Sequence, residues 1–133
     1  MSDENVALVR TVFEAIQAQD PDAYLPHIDP GLRIEPSTNS PERRVLEGVQ
    51  GFERWISRWP TLFEEYEVRP ERFTVSGNDV VVALHERGKS ARSDLTIEDR
   101  FAHVWTVRDR QVVRIRVFND EREALAAVES RST

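Results

Sequence analysis

A chain of 133 residues with 39% hydrophobic and 32% charged residues has the make-up of one soluble domain. At this size about two-thirds of the unfolded surface can be buried, enough for a core and one internal pocket. Its 18 Lys and Arg against 24 Asp and Glu give a formal net charge of −6, which speaks against sequence-independent nucleic-acid binding, and the lack of cysteine excludes a disulfide framework, a thiolate zinc site and a cysteine nucleophile. No apolar run approaches the ~18 residues of a membrane span. Met1 to Asn5 are acidic rather than signal-like, so the expected compartment is the cytoplasm, with no membrane partner.

Val6, Leu8, Val9, Val12, Phe13 and Ile16 follow the 3.6-residue period of an amphipathic helix over Asn5 to Ala18. Asp20-Pro21 resets the backbone, and Asp20 then caps a second helix predicted over Pro21 to Ile28. Asp29-Pro30-Gly31 reads as a turn, and Leu32 to Glu35 as a short strand closed by Pro36. Ser37 to Glu47 carries Pro41, three hydroxyl-bearing residues and a charge cluster and reads as a loop. A further helix places Val49, Phe52, Trp55, Ile56 and Trp59 on one face and ends at Pro60. Four strands follow, at Glu65 to Ser76, Val80 to Glu86, Leu95 to Val107 and Val112 to Phe118. Turns at Gly77-Asn78-Asp79 and Arg108 to Gln111 join two pairs of them, and Lys89 to Asp94 forms a polar loop. Asp120 to Val128 reads as a terminal helical turn or short helix.

Helices followed by an antiparallel meander define an α+β domain. No linker or repeat divides residues 1–133, and the ordered core is expected over about residues 3–128. In the third of the four strands Phe101, His103, Trp105 and Val107 share one face, and Ala102, Val104 and Thr106 share the other. In the last strand Val113, Ile115 and Val117 form one stripe, with Asn119 next in step, and Val112, Arg114, Arg116 and Phe118 form the other. A strand apolar on both faces needs two covers. The first helices supply one, so a homodimer through the outer sheet face is expected to supply the second.

Val9 to Asp22, the Arg33 to Pro36 strand end, the helix start at Glu47 to Trp55 and the run from Phe101 to Asp120 together resemble, in order and spacing, the SnoaL-like branch of the nuclear transport factor 2-like superfamily. Ketosteroid isomerases and polyketide cyclases are among its members. The resemblance implies a cystatin-like topology: a cone-shaped α+β barrel in which a curved antiparallel sheet is wrapped by three helices from the N-terminal half. It further implies a pocket open at one end, and dimers are common in the family. The isomerase base, a carboxylate just before a proline at the end of the first strand, falls on Glu35. The isomerases also hold an Asp neutral in an apolar site to donate to an oxyanion, and His103 takes that place. Their oxyanion tyrosine falls on Val12; losing one of two donors in such a site removes roughly 3 kcal/mol of stabilisation, so steroid isomerisation is not supported. The family's Asp-Gly turn is replaced by Asp109-Arg110.

Glu35 and His103 together could act as general base and general acid. Burial would raise the carboxyl pKa and a neighbouring imidazolium would lower it. The alternative readings are a core histidine with one hydrogen-bond partner and a strand-end glutamate facing water. Trp55, Trp59, Phe101 and Trp105 are core residues or the wall of a cavity, with Tyr24 closing its base and Asn119 sharing the inward parity. Buried Tyr and Trp need polar partners, which is how such walls acquire polar points. The three histidines are scattered, without HxH or HExxH spacing, and neither a glycine-rich phosphate loop nor a GxSxG elbow occurs, so no metal and no cofactor are expected. The predicted ligand is a small apolar organic molecule carrying a carbonyl or hydroxyl group. Cofactor-free isomerisation, cyclisation or hydration by proton transfer is the chemistry such a site could support. A non-catalytic binding protein or a dimerisation module of the same fold is the alternative.

Overall fold

The computed structural model describes residues 2–37, 44–57, 63–90 and 95–132. Trp59 and most of the two expected loops, at Ser37 to Glu47 and Lys89 to Asp94, lie outside the described residues.

Helix α1 (Ser2–Gln17) buries Val9, Val12 and Phe13, as the apolar period requires. It stops at Gln19, whose φ of 56° is left-handed. The Asp20 amide closes the end on the Ala15 carbonyl at 2.9 Å, a reversed turn that satisfies an orphan carbonyl. The helix predicted over Pro21 to Ile28 is shorter: α2 (Pro21–Tyr24) gives way to a single 3₁₀ turn, Leu25–His27. Pro26 explains this, because its nitrogen cannot donate to the preceding helical turn. Strand β1 (Ile28–Glu35) starts earlier than expected. The Asp29-Pro30-Gly31 turn survives inside it as an irregularity between Ile28 and Arg33, where the Asp29 carboxylate accepts from the Gly31 amide at 2.7 Å.

A two-residue strand, β2 (Leu46–Glu47), leads into α3 (Gly48–Ser57). Gly48 makes that junction with φ of 70°, and a Cβ there would meet the Pro30 carbonyl at 3.2 Å. Strands β3 (Phe63–Ser76), β4 (Asp79–Ser90), β5 (Thr96–Arg108) and β6 (Gln111–Phe118) form the meander, and α4 (Glu121–Ser132) follows. The β5–β6 turn holds both Asp109 and Arg110 at positive φ, 52° and 65°, the geometry in which hairpins usually place Asn-Gly.

The strands form one sheet in the order β2-β1-β6-β5-β4-β3. The expectation of a wholly antiparallel sheet is corrected at one position: β1 runs parallel to β6, pairing Ile34 with Ile115 and Glu35 with Arg116. The resulting sheet is curved and mixed, with six strands and four α-helices among the described residues. A register shift between Thr106 and Val107 brings Val107 opposite Val112. That bulge turns Val112 into the core at 0% exposure, so it does not share a face with Arg114 and Arg116 as strict alternation predicted.

One face of the sheet packs on α1, α2 and α3 through Phe13, Leu32, Ile34, Phe52, Leu84 and Trp105. The other carries Val81, Ala102 and Val104, and these are covered by Ala124 and Val128 of α4 with Phe118 beside them. The second cover that β5 requires is therefore the chain's own C-terminal helix, and the argument that called for a second copy on this face loses its premise. Helix α4 is anchored at its start by Asp120, whose carboxylate accepts from the Glu123 amide at 2.9 Å, and by an ion pair from Glu121 to Arg72 of β3.

Candidate functional site

The inward face of the sheet is built in rows. Val80, Trp105 and Ile115 lie side by side across β4, β5 and β6, and the next row is Val82, His103 and Val117. Leu84 and Phe101 make the row after that. Two residues apart on one strand means the same face, so Trp105 and His103 are neighbours, and the Trp105 indole Nε1–H donates to His103 Nδ1 at 3.1 Å. That bond leaves the imidazole hydrogen on Nε2. His103 is 1% exposed, with the rings of Trp55, Phe101 and Phe13 at centroid distances of 5.1, 5.4 and 6.2 Å. Burial among these rings penalises the imidazolium and lowers the pKa of His103 from 6.5 to about 3. His103 is thus neutral at physiological pH.

Glu35 lies on the opposite face. Ile34 is 2% exposed in the inner core, and alternation along β1 turns Glu35 outward with Arg33. There Arg114 grips it with both arms of the guanidinium, Nε to Oε2 at 2.6 Å and Nη2 to Oε1 at 2.9 Å. The hydrogen bond from Arg114 is the largest influence on the carboxyl; although partial burial opposes it, the charges of Arg114, Arg33 and Arg116 act in the same sense and the pKa falls below its ordinary value. Arg116, on the same face, is 3.6 Å from Asp79, whose other oxygen accepts from the Thr106 hydroxyl at 2.6 Å. The acids that meet these arginines, Glu35 and Asp79, are supplied by the chain itself. Glu35 and His103, the pair on which proton transfer was to rest, are separated by the sheet.

Of the aromatic residues expected to be core or cavity wall, the described ones on the sheet and α3 cluster in the core. Trp105 is fully buried and Trp55 and Phe101 are half-buried, all three on the inner side around His103. Tyr24 is 5% exposed and tilts against Phe52 at 5.4 Å. Asn119 lies beyond the end of β6, where its amide donates to Glu123 Oε1 at 3.3 Å and closes the start of α4.

The space that could receive a ligand lies at the end of the cone where α1, α2, α3 and β3 converge. This cleft of about 760 Å³ is lined on its apolar side by Ile16, Pro21, Ile56, Val68 and Pro70. Tyr24, Gln17, Glu53, Glu67 and Arg69 give it polar points. Of the described residues expected to bind ligand, Tyr24 alone lines it. Gln17 fixes the end of α1 to β3 by donating to the Val68 carbonyl at 2.8 Å. Burial first, and the charge of Glu53 second, raise the Tyr24 pKa, so the phenol keeps its proton. Ile16 and Ile56 were legible as helix-face positions; no spacing signal marks Gln17, Glu53 or Val68, which meet only because three helix ends converge on one strand. Among the described residues no group of three His, Asp or Glu is placed to hold a metal ion. No helix among them is long and apolar enough to cross a membrane.

The SnoaL-like domain family matches residues 9–115, and the chain belongs to that family. No curated protein matches it. Among solved structures it is similar to a protein of Jannaschia sp. CCS1 named for the SnoaL-like polyketide cyclases, with 23% identity, 96% of this chain and 93% of that one covered, and a TM-score of 0.76. It is also similar to TerC, co-crystallised with polyporic acid, at 20% identity over 95% of this chain and 98% of that one, with a TM-score of 0.73. A hypothetical protein from Catenulispora acidiphila DSM 44928, of ketosteroid isomerase-like fold and in complex with trimethylamine, matches at 12% identity over 85% of each chain with a TM-score of 0.69. At these identities the likeness is one of fold, the cone-shaped architecture of the nuclear transport factor 2-like proteins.

Proposed function

We propose that this protein binds a small, largely apolar organic molecule carrying a carbonyl or hydroxyl group, and that the site is the cleft between the ends of α1, α2 and α3 and strand β3. The observation that carries the reading is the cleft itself: about 760 Å³, within the size range of small-molecule sites, with an apolar wall and a few convergent polar groups. Neighbours of the same fold were crystallised with polyporic acid and with trimethylamine, which supports small-molecule binding as the use of this architecture. Binding is favoured over cofactor-free isomerisation or cyclisation by Glu35 and His103, because the first is held by Arg114 on the far face of the sheet and the second is a weak base at pH 7.

The test is a titration with acetophenone and with 2-phenylethanol, followed by amide chemical shifts. Shifts are expected at Ile16, Tyr24, Ile56 and Val68, and Ile56→Arg should abolish them while the circular dichroism stays native. Binding of neither probe, or equal binding by the Ile56→Arg variant, overturns the assignment.

A further inference from the structure

The cleft is unevenly charged. Of its three ionisable carboxylates and cations on β3 and α3, Glu67 is ion-paired with Arg69, and Glu53 has no ion pair with any described residue. Among the described residues the wall therefore carries a net negative charge contributed by Glu53, an exposed residue of α3. Beside it stands Tyr24, whose ring is packed against Phe52 and whose hydroxyl belongs to a residue lining the same space. Glu53 acts on Tyr24 through its charge, so the two influence a common region of the cleft. A carboxylate offers only acceptor oxygens, and a phenol that keeps its proton offers one donor and an acceptor oxygen. Acceptors therefore outnumber donors at this end, while Ile16, Ile56 and Pro70 line the apolar remainder.

We infer that the cleft selects by charge: it takes ligands whose polar head donates hydrogen bonds and carries no negative charge, with an ammonium head preferred to a hydroxyl and a carboxylate rejected, and Glu53 is the residue that sets this order. The inference rests on the binding role proposed for the same cleft and changes the preferred head group from carbonyl or hydroxyl to ammonium. Glu53 acts by Coulomb attraction through partly solvated space, so its effect is modest. Exposed charge pairs of this kind change affinity by about three- to fivefold.

Three probes of one shape and different charge test it: 2-phenylethylamine, 2-phenylethanol and phenylacetate, titrated by NMR at pH 7 against the native chain and Glu53→Gln. The amine should bind tightest and phenylacetate weakest. In Glu53→Gln the amine should weaken and phenylacetate tighten, each by about three- to fivefold, with the alcohol unchanged within roughly twofold. Glu53 is on the surface of α3, so the variant keeps its fold. Binding of phenylacetate as tight as that of the alcohol, or a substitution that leaves the order and spacing of the three affinities unchanged, overturns the charge selection while leaving the cleft a binding site. Failure of all three probes to shift Ile16, Tyr24 and Ile56 overturns the binding role and the selection together.

Discussion

Replacing Glu35 by Gln separates two roles that the same residue could have. In the structure Glu35 is half of a forked ion pair, with two hydrogen bonds from Arg114 at 2.6 and 2.9 Å, and it lies away from the cleft. A hydrogen bond to a charged group is worth about 1.5–3 kcal/mol when buried. Here the side chains are 29% and 37% exposed, so solvent screening brings the pair down toward the upper end for surface ion pairs, about 1 kcal/mol. In a domain of this size that corresponds to a melting temperature lower by about 3–5 °C. The effect depends on pH in a defined direction. The folded carboxyl titrates below its ordinary value of 4.5, so its stabilisation is complete above the unfolded pKa and is lost as the pH falls through the lowered folded value. Urea denaturation of native and Glu35→Gln chains should therefore differ by about 1 kcal/mol at pH 7 and converge as the pH falls below the ordinary glutamate range and through the lowered folded value. Probe binding in the cleft should be unchanged. Equal stabilities at pH 7, or a loss of binding without a loss of stability, would refute the placement of Glu35 and restore it as a site residue.

Other expectations follow from the core and its edges. His103 stays neutral to about pH 3 when folded, whereas an unfolded histidine takes up its proton near 6.5. Stability should thus fall on acidification between these values by about 1.4 kcal/mol per pH unit. His103→Gln, which keeps an acceptor for Trp105, should remove that slope in urea unfolding; matching slopes in the two proteins would contradict the burial. Ala124 is 0% exposed on the face of α4 that packs against the sheet, and Ala124→Asp would bury an unpaired charge at a cost of several kcal/mol. The helix should detach, binding of the dye ANS should rise and sedimentation should show self-association through the uncovered face. Arg110 sits at φ of 65°, where a non-glycine residue costs about 1–2 kcal/mol, so Arg110→Gly should raise the urea midpoint. An unchanged or lower midpoint would contradict the turn geometry.

Much of this arrangement is legible in the linear pattern. The 3.6-residue spacing of Val9, Val12, Phe13 and Ile16 marks α1, and alternation marks both faces of β5, placing His103 and Trp105 together on the inside. Alternation also runs through Leu32, Arg33, Ile34 and Glu35, and once Ile34 is in the core Glu35 must face outward. The family comparison pulled Glu35 into the pocket against that parity, and the local pattern prevailed. Among the described residues, the apolar contacts of helix α4 with the sheet are Ala124, Leu125 and Val128, too weak a stripe to announce that it covers a whole face. The parallel pairing of β1 with β6 leaves no mark at all, because a strand's sequence does not record the direction of a distant partner. The cleft is equally silent, since Gln17, Glu53 and Val68 are brought together only by the ends of separate elements.

That parallel pairing also orders events in time. During synthesis β1 is made about 80 residues before its eight-residue neighbour, residues 111–118; until then only the two-residue β2 can lie beside it. The nascent first strand must wait with one edge open, guarded by Pro30, Pro36 and the charges of Arg33 and Glu35, the kinds of residue that discourage edge-to-edge aggregation. Closure across about 80 positions makes the fold rich in distant contacts and correspondingly slow to complete. Truncation just before β6 would strip two strands of their native pairing at once, so the last quarter of the chain decides whether the first quarter keeps its shape.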